Sequence, residues 1–460
     1  MAPRARDGDV DVRRGLPWTL LCASFVNFAS FHAVREGYMA CKPALRARDA
    51  YPAALLGEVD FGFCLAYALG LACSGLVGRR FGYRRTIATS FALTAVFACG
   101  LGAAVGYGPR TRTSDDAWRR ARLAHMPLWI GSGFVQSLAY PNFVALISRN
   151  VRDARRGSVL TVWVMASPVG DIVGLSIARA VLERYGDDNW PVVMFVAAAF
   201  VVINLAIFLV FVREPKEEAV GTSGEDAEST ALLGSSEDDS ASFFEIARRV
   251  WTVPGVVDFC CSIMALKVVI TSMLFWTPYY VDDVYPKQKK YSIVSTQLFD
   301  LALILGIGST ALMNRVFNRW IAVFLVSLAV GLAPLFALPY AHVLGWTVAC
   351  IFAVGFFVGP SAALLASTMS SDLGERAEAR TGMRGIVGVI SGFVDSAGAV
   401  GSGVGQILVG AVAQSGGWHS VFSMLCVFVV LGMLSLTRVA RMEHIELSTR
   451  ASKRIDRELS

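Results

Sequence analysis

The sequence predicts an all-α membrane protein whose twelve transmembrane helices form two six-helix halves. Of its 460 residues, 55% are hydrophobic and only 17% are charged, and the mean hydropathy is +0.53. This composition is too apolar for a soluble globular protein. Twelve stretches each hold about 20 mostly apolar residues, which is enough to cross a bilayer as a helix. A single long polar segment separates the first six stretches from the last six.

The twelve predicted spans follow one another with short connections. They are 17–41, 54–78, 86–107, 125–148, 158–182, 190–212, 254–281, 291–313, 319–338, 342–369, 382–413 and 417–437. Lysine and arginine concentrate in the tails and in the connections on one side, which the positive-inside rule places in the cytoplasm. We therefore expect a cytoplasmic tail (1–16), a first half (17–212), an acidic, serine-rich cytoplasmic linker (213–250), a second half (251–437) and a basic cytoplasmic tail (438–460).

The first span carries an arginine inside an apolar helix. A cation within a membrane span costs at least ~2.5 kcal/mol unless it finds a partner, so Arg35 indicates either a functional site or a side chain that reaches the headgroups. Asn27, Phe31, Arg35, Tyr38 and Lys42 follow helical steps of three and four, which predicts one polar face that lines a cavity. His32, on the same helix, is a further candidate substrate ligand.

The second and fourth spans and the loop between the second and third add candidates. Glu58 and Asp60 begin the second span, as interfacial acids or as counter-ions of the first helix, and we favour the interfacial role. Gln136 and Tyr140 lie in the fourth span and are candidate substrate ligands. The loop from Gly75 to Arg85 combines regularly spaced glycines with arginines, and a positive-inside loop explains the arginines but not the glycine spacing.

Charged residues recur in the fifth, seventh, eighth and eleventh spans. Asp171 and Arg179 predict structural interhelical pairs. Lys267 lies near the middle of the seventh span, where reaching the headgroups is difficult, so we expect an ion pair with Asp300 or Asp258, a ligand, or both in turn. Asp395 follows the glycines of the eleventh span and predicts either a tie to Arg384 or a coupling role; those glycines predict close helix contact.

Several function classes are disfavoured. The nine cysteines are scattered without zinc or disulfide spacing, and no nucleophile–base set or nucleotide loop is present, so we expect no enzyme, no metal and no cofactor. The net charge of +6 follows the positive-inside pattern and does not predict nucleic acid as a partner. The expected partners are the lipid bilayer and small anions, and we expect a monomer.

These motifs resemble a known group of transporters. The loop from Gly75 to Arg85 resembles that of the major facilitator superfamily, with Arg79 where that family usually has aspartate. This resemblance implies that Gly75, Arg80, Gly82, Arg84 and Arg85 form a conformational gating element, in which the glycines let two helices approach closely. The pattern from Arg35 to Pro43 resembles the organophosphate:phosphate antiporters. Further blocks resemble the eukaryotic sugar-phosphate exchangers of solute carrier family 37. They are Leu266-Lys267 with Phe275-Trp276 and Pro278, Phe299-Asp300, Gly359-Pro360, Ser370-Ser-Asp-Leu-Gly374, and Asp395-Ser-Ala-Gly before Gly417-Trp418.

The resemblance implies a major facilitator fold that exchanges a sugar phosphate, of the glucose 6-phosphate or glycerol 3-phosphate class, for inorganic phosphate by alternating access. Arg35 and Lys267 would then be the phosphate ligands, with the endoplasmic reticulum or another endomembrane as the location. Two departures are evident. Glu36 stands where relatives have a second basic residue, and Ser167-Pro168 where bacterial glycerol-3-phosphate transporters have a substrate-site histidine.

The two cations suggest why transport would be an exchange. At ~10 Å they would repel by roughly 1.7 kcal/mol at an effective dielectric of 20, and a bound phosphate would remove this cost. Loaded carriers are therefore expected to reorient faster than empty ones. The alternatives are a carrier of another organic anion, such as a carboxylate, or a non-transporting, transporter-like receptor.

Overall fold

The structure is a computed structural model, and it describes residues 18–108, 110–151, 159, 162–212, 248, 251–288, 290–317, 319–370, 373–374 and 386–459. The predicted tail 1–16 and nearly all of the predicted linker 213–250 lie outside these residues, as does Arg384. The surroundings of Gly75 and the side chain of Arg79 are also outside the description, so the gating role of Gly75 stays a prediction.

The first half consists of six long helices. They are α1 (Trp18–Met39), α2 (Ala53–Phe81), α3 (Tyr83–Gly100, continued by the π-helical turn Leu101–Gly106), α4 (Met126–Ser137 with Ala139–Asn150), α5 (Ala166–Tyr185) and α6 (Trp190–Phe211). Two short helices, Lys42–Asp49 and Ser114–Arg120, lie in the connections that follow α1 and α3. They place polar residues at one end of the bundle.

The second half repeats the plan. Its helices are α7 (Val256–Val284), α8 (Lys290–Phe317), α9 (Trp320–Ala337), α10 (Leu344–Phe357, continued by Pro360–Leu364), α11 (386–416) and α12 (418–459). The last two belong to the continuous run Ile386–Leu459, which is broken at Gly417, where φ is 70°. Glycine adopts this left-handed conformation without strain, so the residue separates the two spans. The helix α12 continues past 437, through the segment predicted as a basic tail.

By length and composition, eight helical runs of the described chain could cross a membrane, and one of them, 392–443, contains both α11 and α12. The helices α1, α4 and α5 are long but more polar, and they carry many of the predicted site residues. With them, each of the twelve predicted spans corresponds to a helix. The expectation of an all-α membrane protein of two six-helix halves is confirmed.

Glycines let the fifth helix of each half approach the first. A Cβ at Gly174 of α5 would lie 2.2 Å from the Ala33 carbonyl oxygen of α1, and one at Gly170 would lie 2.1 Å from that of Ala29. In the second half, a Cβ at Gly401 of α11 would lie 2.1 Å from the Met264 carbonyl oxygen of α7. The close contact predicted for the α11 glycines is confirmed, and its partner is α7.

The halves meet firmly at one end of the bundle, which we call the sealed end. It consists of the short helix Lys42–Asp49, the start of α2, the end of α7 and the last turns of α11. A Cβ at Gly57 of α2 would lie 2.4 Å from the Gln406 carbonyl oxygen of α11, so the two backbones are in direct contact. The Ala54 amide also donates to the Gln414 side chain at 3.2 Å.

Candidate functional site

Arg35 lies in α1 at the face of the first half that meets the second. Its Nη2 is 3.4 Å from Asp171 Oδ1 on α5, and its Nε is 3.3 Å from Glu36 Oε1. The guanidinium carbon lies 5.7 Å from the ring centroid of Phe275 on α7, within cation–π range. The side chain of Arg35 keeps 16% of its surface exposed, whereas Glu36 is fully buried. A ligand can therefore reach the arginine.

Lys267 occupies the equivalent place in the second half. Its Nζ lies 3.4 Å from Asp395 Oδ1 on α11, and 26% and 23% of the two side chains are exposed. The pairing predicted with Asp300 or Asp258 is wrong, because the close α7–α11 contact selects Asp395 as the partner. The tie predicted between Asp395 and the loop near Arg384 stays a prediction, since Arg384 lies outside the described residues. Asp258 instead lies 4.0 Å from Arg438.

The two halves therefore share one design. In each, the first helix carries a cation and the fifth helix carries its carboxylate partner. The interhelical pair predicted for Asp171 is confirmed, with α1 supplying both Arg35 and His32. The interhelical pair predicted for Arg179 is wrong, because Arg179 bonds Glu183 of its own helix at 2.8 Å on an exposed face.

His32 connects the groups around Arg35. Its Nδ1 lies 2.6 Å from Arg35 Nη2, 3.0 Å from Asp171 Oδ1 and 2.9 Å from Ser167 Oγ. Because a guanidinium only donates hydrogen bonds, Nδ1 accepts from Arg35 in this arrangement. Ser167 of α5 thus contacts an imidazole that comes from α1.

Asp300 of α8 lies close behind this group. Its carboxyl is fully buried, and neither oxygen hydrogen-bonds to a described residue. The Asp300 carboxyl lies close enough to Asp171, Glu36 and Arg35 to interact with them electrostatically. Because an ionised carboxylate in such a place is costly without a partner, the structure favours the neutral acid here.

Lys42 lies deep in the sealed end, away from the exposed cations. Its Nζ is 2.5 Å from Asp60 Oδ2, and both side chains are fully buried. It also donates to the Phe275 carbonyl oxygen at 3.1 Å and lies 4.4 Å from the Trp276 ring centroid. The interfacial role favoured for Asp60 is wrong, and the counter-ion alternative holds for Lys42, while Glu58 is exposed.

The polar face predicted along α1 does not line one cavity. Phe31 stacks on Phe91 at 4.0 Å between ring centroids, and Tyr38 is buried against Trp129 at 4.2 Å. Asn27 is buried and donates to the Ala23 carbonyl oxygen of its own helix. This expectation is wrong because α3 and α4 pack against α1 and bury most of the face. Of the stripe, Arg35 alone keeps a place among the exposed charges.

The remaining candidates lie in α4 and in the loop between α2 and α3. Gln136 is buried and donates to Ser132 of its own helix at 2.9 Å, while Tyr140 is half-buried beside Trp163. In the loop, Gly82 has a φ of 87°, which glycine adopts without strain. Arg84 donates to the Val212 and Leu209 carbonyl oxygens at the end of α6, while Arg80 and Arg85 are exposed.

Sequence reasoning missed several neighbours of the site. Phe275 contacts both Arg35 and Lys42 through its ring, and Glu36 contacts Arg35 directly. Tyr67 of α2 lies near enough to Arg35 to interact with it electrostatically. Two of these neighbours could have been found from the sequence, since Glu36 adjoins Arg35 and Phe275 belongs to a quoted motif. No feature of the sequence points to Tyr67.

Comparisons with known proteins support the predicted fold and family. The profile described as Major Facilitator Superfamily matches residues 20–394. The putative glycerol-3-phosphate transporter 1 of Arabidopsis thaliana is 28% identical over 415 residues, which cover 85% of this chain and 76% of that protein. The sugar phosphate exchanger 3 of Xenopus laevis is 27% identical, with coverages of 87% and 82%.

A solved structure of the xylose transporter XylE from E. coli, in a partially occluded inward-open conformation, superposes with a TM-score of 0.67 at 14% identity. It covers 92% of this chain and 99% of that one. At this identity the likeness shows the fold alone. Taken together, the profile match, the twelve helices and this superposition show that the chain belongs to the major facilitator superfamily.

Proposed function

We propose that this protein is a secondary active transporter that exchanges a sugar phosphate, of the glucose 6-phosphate or glycerol 3-phosphate class, for inorganic phosphate. The observation that carries the proposal is the pair of exposed cations, Arg35 from the first half and Lys267 from the second, each held by a carboxylate of its own half. The relatives named as glycerol-3-phosphate and sugar phosphate carriers support the same substrate class.

The two cations suit a phosphate monoester. Such a group carries −1.5 to −2 charge near neutral pH and offers three acceptor oxygens. The arginine offers a planar fork of donors and the lysine a compact point charge, so together they neutralise and orient the phosphate. Because the cations belong to different halves, a bound phosphate draws the halves together, as alternating access around a central site requires.

The carboxylate partners of the two cations change the electrostatic cost expected for the empty carrier. Each cation already has a carboxylate partner in the ligand-free protein, so bare repulsion between Arg35 and Lys267 is not the cost that slows the empty carrier. Phosphate must instead displace these carboxylates. Exchange now rests on the named relatives and on the site, and the fold favours a carrier over an enzyme.

The sealed end and the positive-inside bias together give the orientation that we propose for the protein in its membrane. If both termini are cytoplasmic, as the positive-inside bias favours, the sealed end faces the lumen and the exposed cations are reached from the cytoplasm. The likeness to solute carrier family 37 supports the endoplasmic reticulum or another endomembrane. The proposed partners are phosphate esters, inorganic phosphate and the lipid bilayer, with the monomer as the working unit.

The test is uptake of radiolabelled phosphate into proteoliposomes that are preloaded with phosphate or left empty. We expect uptake only into loaded vesicles, inhibited by glucose 6-phosphate or glycerol 3-phosphate. Lys267→Ala should reduce it at least 100-fold, because it removes one of two charge-assisted contacts worth about 3 kcal/mol.

Lys287→Ala is the matched control, since Lys287 is an exposed lysine of the same half. It should transport like the unchanged protein. Uptake inhibited by carboxylates but not by phosphate esters would instead favour a carrier of another organic anion. No uptake by correctly folded protein would favour the receptor.

A further inference from the structure

The charged groups around the two cations do not balance in the way a phosphate site requires. We call Arg35, Lys267, Glu36, Asp171, Asp300 and Asp395 the central cluster; it contains two cations, three carboxylates that contact them and the neutral acid Asp300. A phosphate dianion would add two more negative charges to this group. The further inference concerns how the site compensates for that charge, and it rests on the proposed function.

Phosphate would meet an arginine that is already occupied. The Arg35 guanidinium contacts Asp171 at 3.4 Å and Glu36 at 3.3 Å. When its Nη2 turns to a phosphate oxygen, Asp171 loses its cation, although only 4% of that side chain is exposed. A buried carboxylate without a partner costs several kcal/mol, so the site needs a replacement for the lost cation.

His32 is placed to provide this replacement. In the ligand-free protein its Nδ1 accepts from Arg35 Nη2 at 2.6 Å, and Asp171 Oδ1 is 3.0 Å away. Once Arg35 donates to phosphate, the Nδ1 lone pair is free to take a proton and to donate it to Asp171. The resulting imidazolium–carboxylate pair replaces the lost guanidinium–carboxylate pair.

We propose that each phosphate ester is bound and carried together with one proton, held by the His32–Asp171 pair. The proton comes from the aqueous side that supplies the substrate and binds at His32 Nδ1. The Arg35 contacts to His32 and Asp171 are exchanged for contacts to the phosphate oxygens. The N–H bond at His32 forms as the aqueous acid that donates the proton loses its bond to it, and no other covalent bond forms or breaks. Release of the phosphate returns the proton to the side that receives it.

The groups that face His32 come from every neighbouring helix. On α1 they are Arg35 and Glu36, and α5 supplies Asp171 and Ser167. The charge of Lys267 on α7 acts on the imidazole across the interface, and Asp300 of α8 lies beyond Asp171. The helix α6 carries no charged residue, α3 brings Arg84 and Arg85 only in its first turn, and α4 presents Tyr140. The groups around the pair are therefore two cations, Arg35 and Lys267, and two acids, Glu36 and the neutral Asp300.

A proton that travels with phosphate in both directions cancels in phosphate-for-phosphate exchange. Such exchange therefore needs no proton gradient, and the proposal is compatible with exchange. The signature lies in binding, where substrate takes protons from the buffer.

The test is isothermal titration calorimetry of the purified full chain in detergent at pH 8, in buffers of different ionisation enthalpy. The probe is glucose 6-phosphate or glycerol 3-phosphate. The ester has a second pKa of about 6 and is almost wholly dianionic at this pH, so its own titration adds almost nothing. We expect uptake of about one proton per bound ester in the unchanged protein.

His32→Gln and Asp171→Asn should bind the ester with uptake near zero, and a thermal melt in detergent shows that each variant is folded. His419→Gln, an exposed histidine of the second half, is the matched control and should retain the full uptake. Binding without uptake by the unchanged protein overturns the inference alone. Uptake that persists in both site variants overturns the assignment to this pair, and absence of any ester binding overturns the proposed function itself.

Discussion

At the residue scale, the structure separates two kinds of charged side chain within the membrane. Arg35, Lys267 and Asp395 keep part of their surface accessible, whereas Lys42 and Asp60 are fully enclosed. The first group can exchange its partners for a ligand, as a transport site requires. The second is a fixed pair, and its contact with the Phe275 carbonyl oxygen holds the two halves together.

The fixed pair supports a prediction about stability. Asp60→Asn leaves Lys42 buried beside a neutral amide, and we expect destabilisation of about 3–5 kcal/mol because the charge loses the one carboxylate contact that it makes among the described residues. The measurement is the melting temperature in detergent. Glu58→Gln, two residues away and exposed, should leave that temperature unchanged.

A double variant distinguishes the charge from the packing. Lys42→Met with Asp60→Leu removes both charges together, and apolar replacements of buried pairs are often neutral or stabilising. We expect it to recover most of the lost melting temperature. A double variant as unstable as Asp60→Asn would show that the pair matters for its shape and not for its charge balance.

At the element scale, the two halves use the same device. The helices α1 and α7 carry the cations, and α5 and α11 carry the acids at glycine-lined contacts. Close backbone approach is what allows a short aspartate to reach across. The glycine spacing and the site chemistry are therefore one feature, repeated in each half as expected of a transporter whose two halves are parallel repeats.

This dependence predicts the effect of a bulky residue in α5. In Gly174→Val the new Cβ would lie 2.2 Å from the Ala33 carbonyl oxygen, so α5 must move away from α1 and Asp171 from Arg35. Overpacking of this kind costs about 1–3 kcal/mol, and we expect a lower melting temperature in detergent together with loss of phosphate exchange.

Gly308→Val makes the same substitution in α8 at a position where a Cβ meets no atom within 4 Å. It should leave both melting and exchange close to those of the unchanged protein. Normal exchange by Gly174→Val would show that the α1–α5 contact is not needed for the site.

At the scale of the whole molecule, the contacts of the sealed end hold one conformation of the carrier. Asp283 at the end of α7 accepts from Trp418 at 2.8 Å and forms an ion pair with Arg46 of the short helix Lys42–Asp49. Arg46 also lies 5.0 Å from the Tyr279 ring centroid. The two contacts of Arg46 join the halves, and they must break if this end is to open during alternating access.

Removing them should shift the conformational equilibrium. In Asp283→Ala we expect a larger fraction of molecules with the sealed end open, because the ion pair with Arg46 that joins the halves is lost. Spin labels at Ala47→Cys and Val284→Cys, both exposed positions, would report the opening as a population at longer distance in a cysteine-free background.

Glu183→Ala is the control, since its partner Arg179 lies on its own helix and does not join the halves. It should leave the distance distribution unchanged. An Asp283→Ala distribution identical to that of the unchanged protein would mean that the glycine contacts around Gly57 are sufficient to hold this end closed.

The sequence by itself determined the twelve helices, the two halves and the two cations, because apolar length and an isolated charge are local properties of the chain. The tertiary structure decided which charges meet. Lys267 pairs with Asp395 and not with Asp300, and Lys42 is enclosed while Arg35 is open. Helical periodicity gives the face on which a side chain lies but not the angle at which helices cross, and that angle selects the partner of every buried charge.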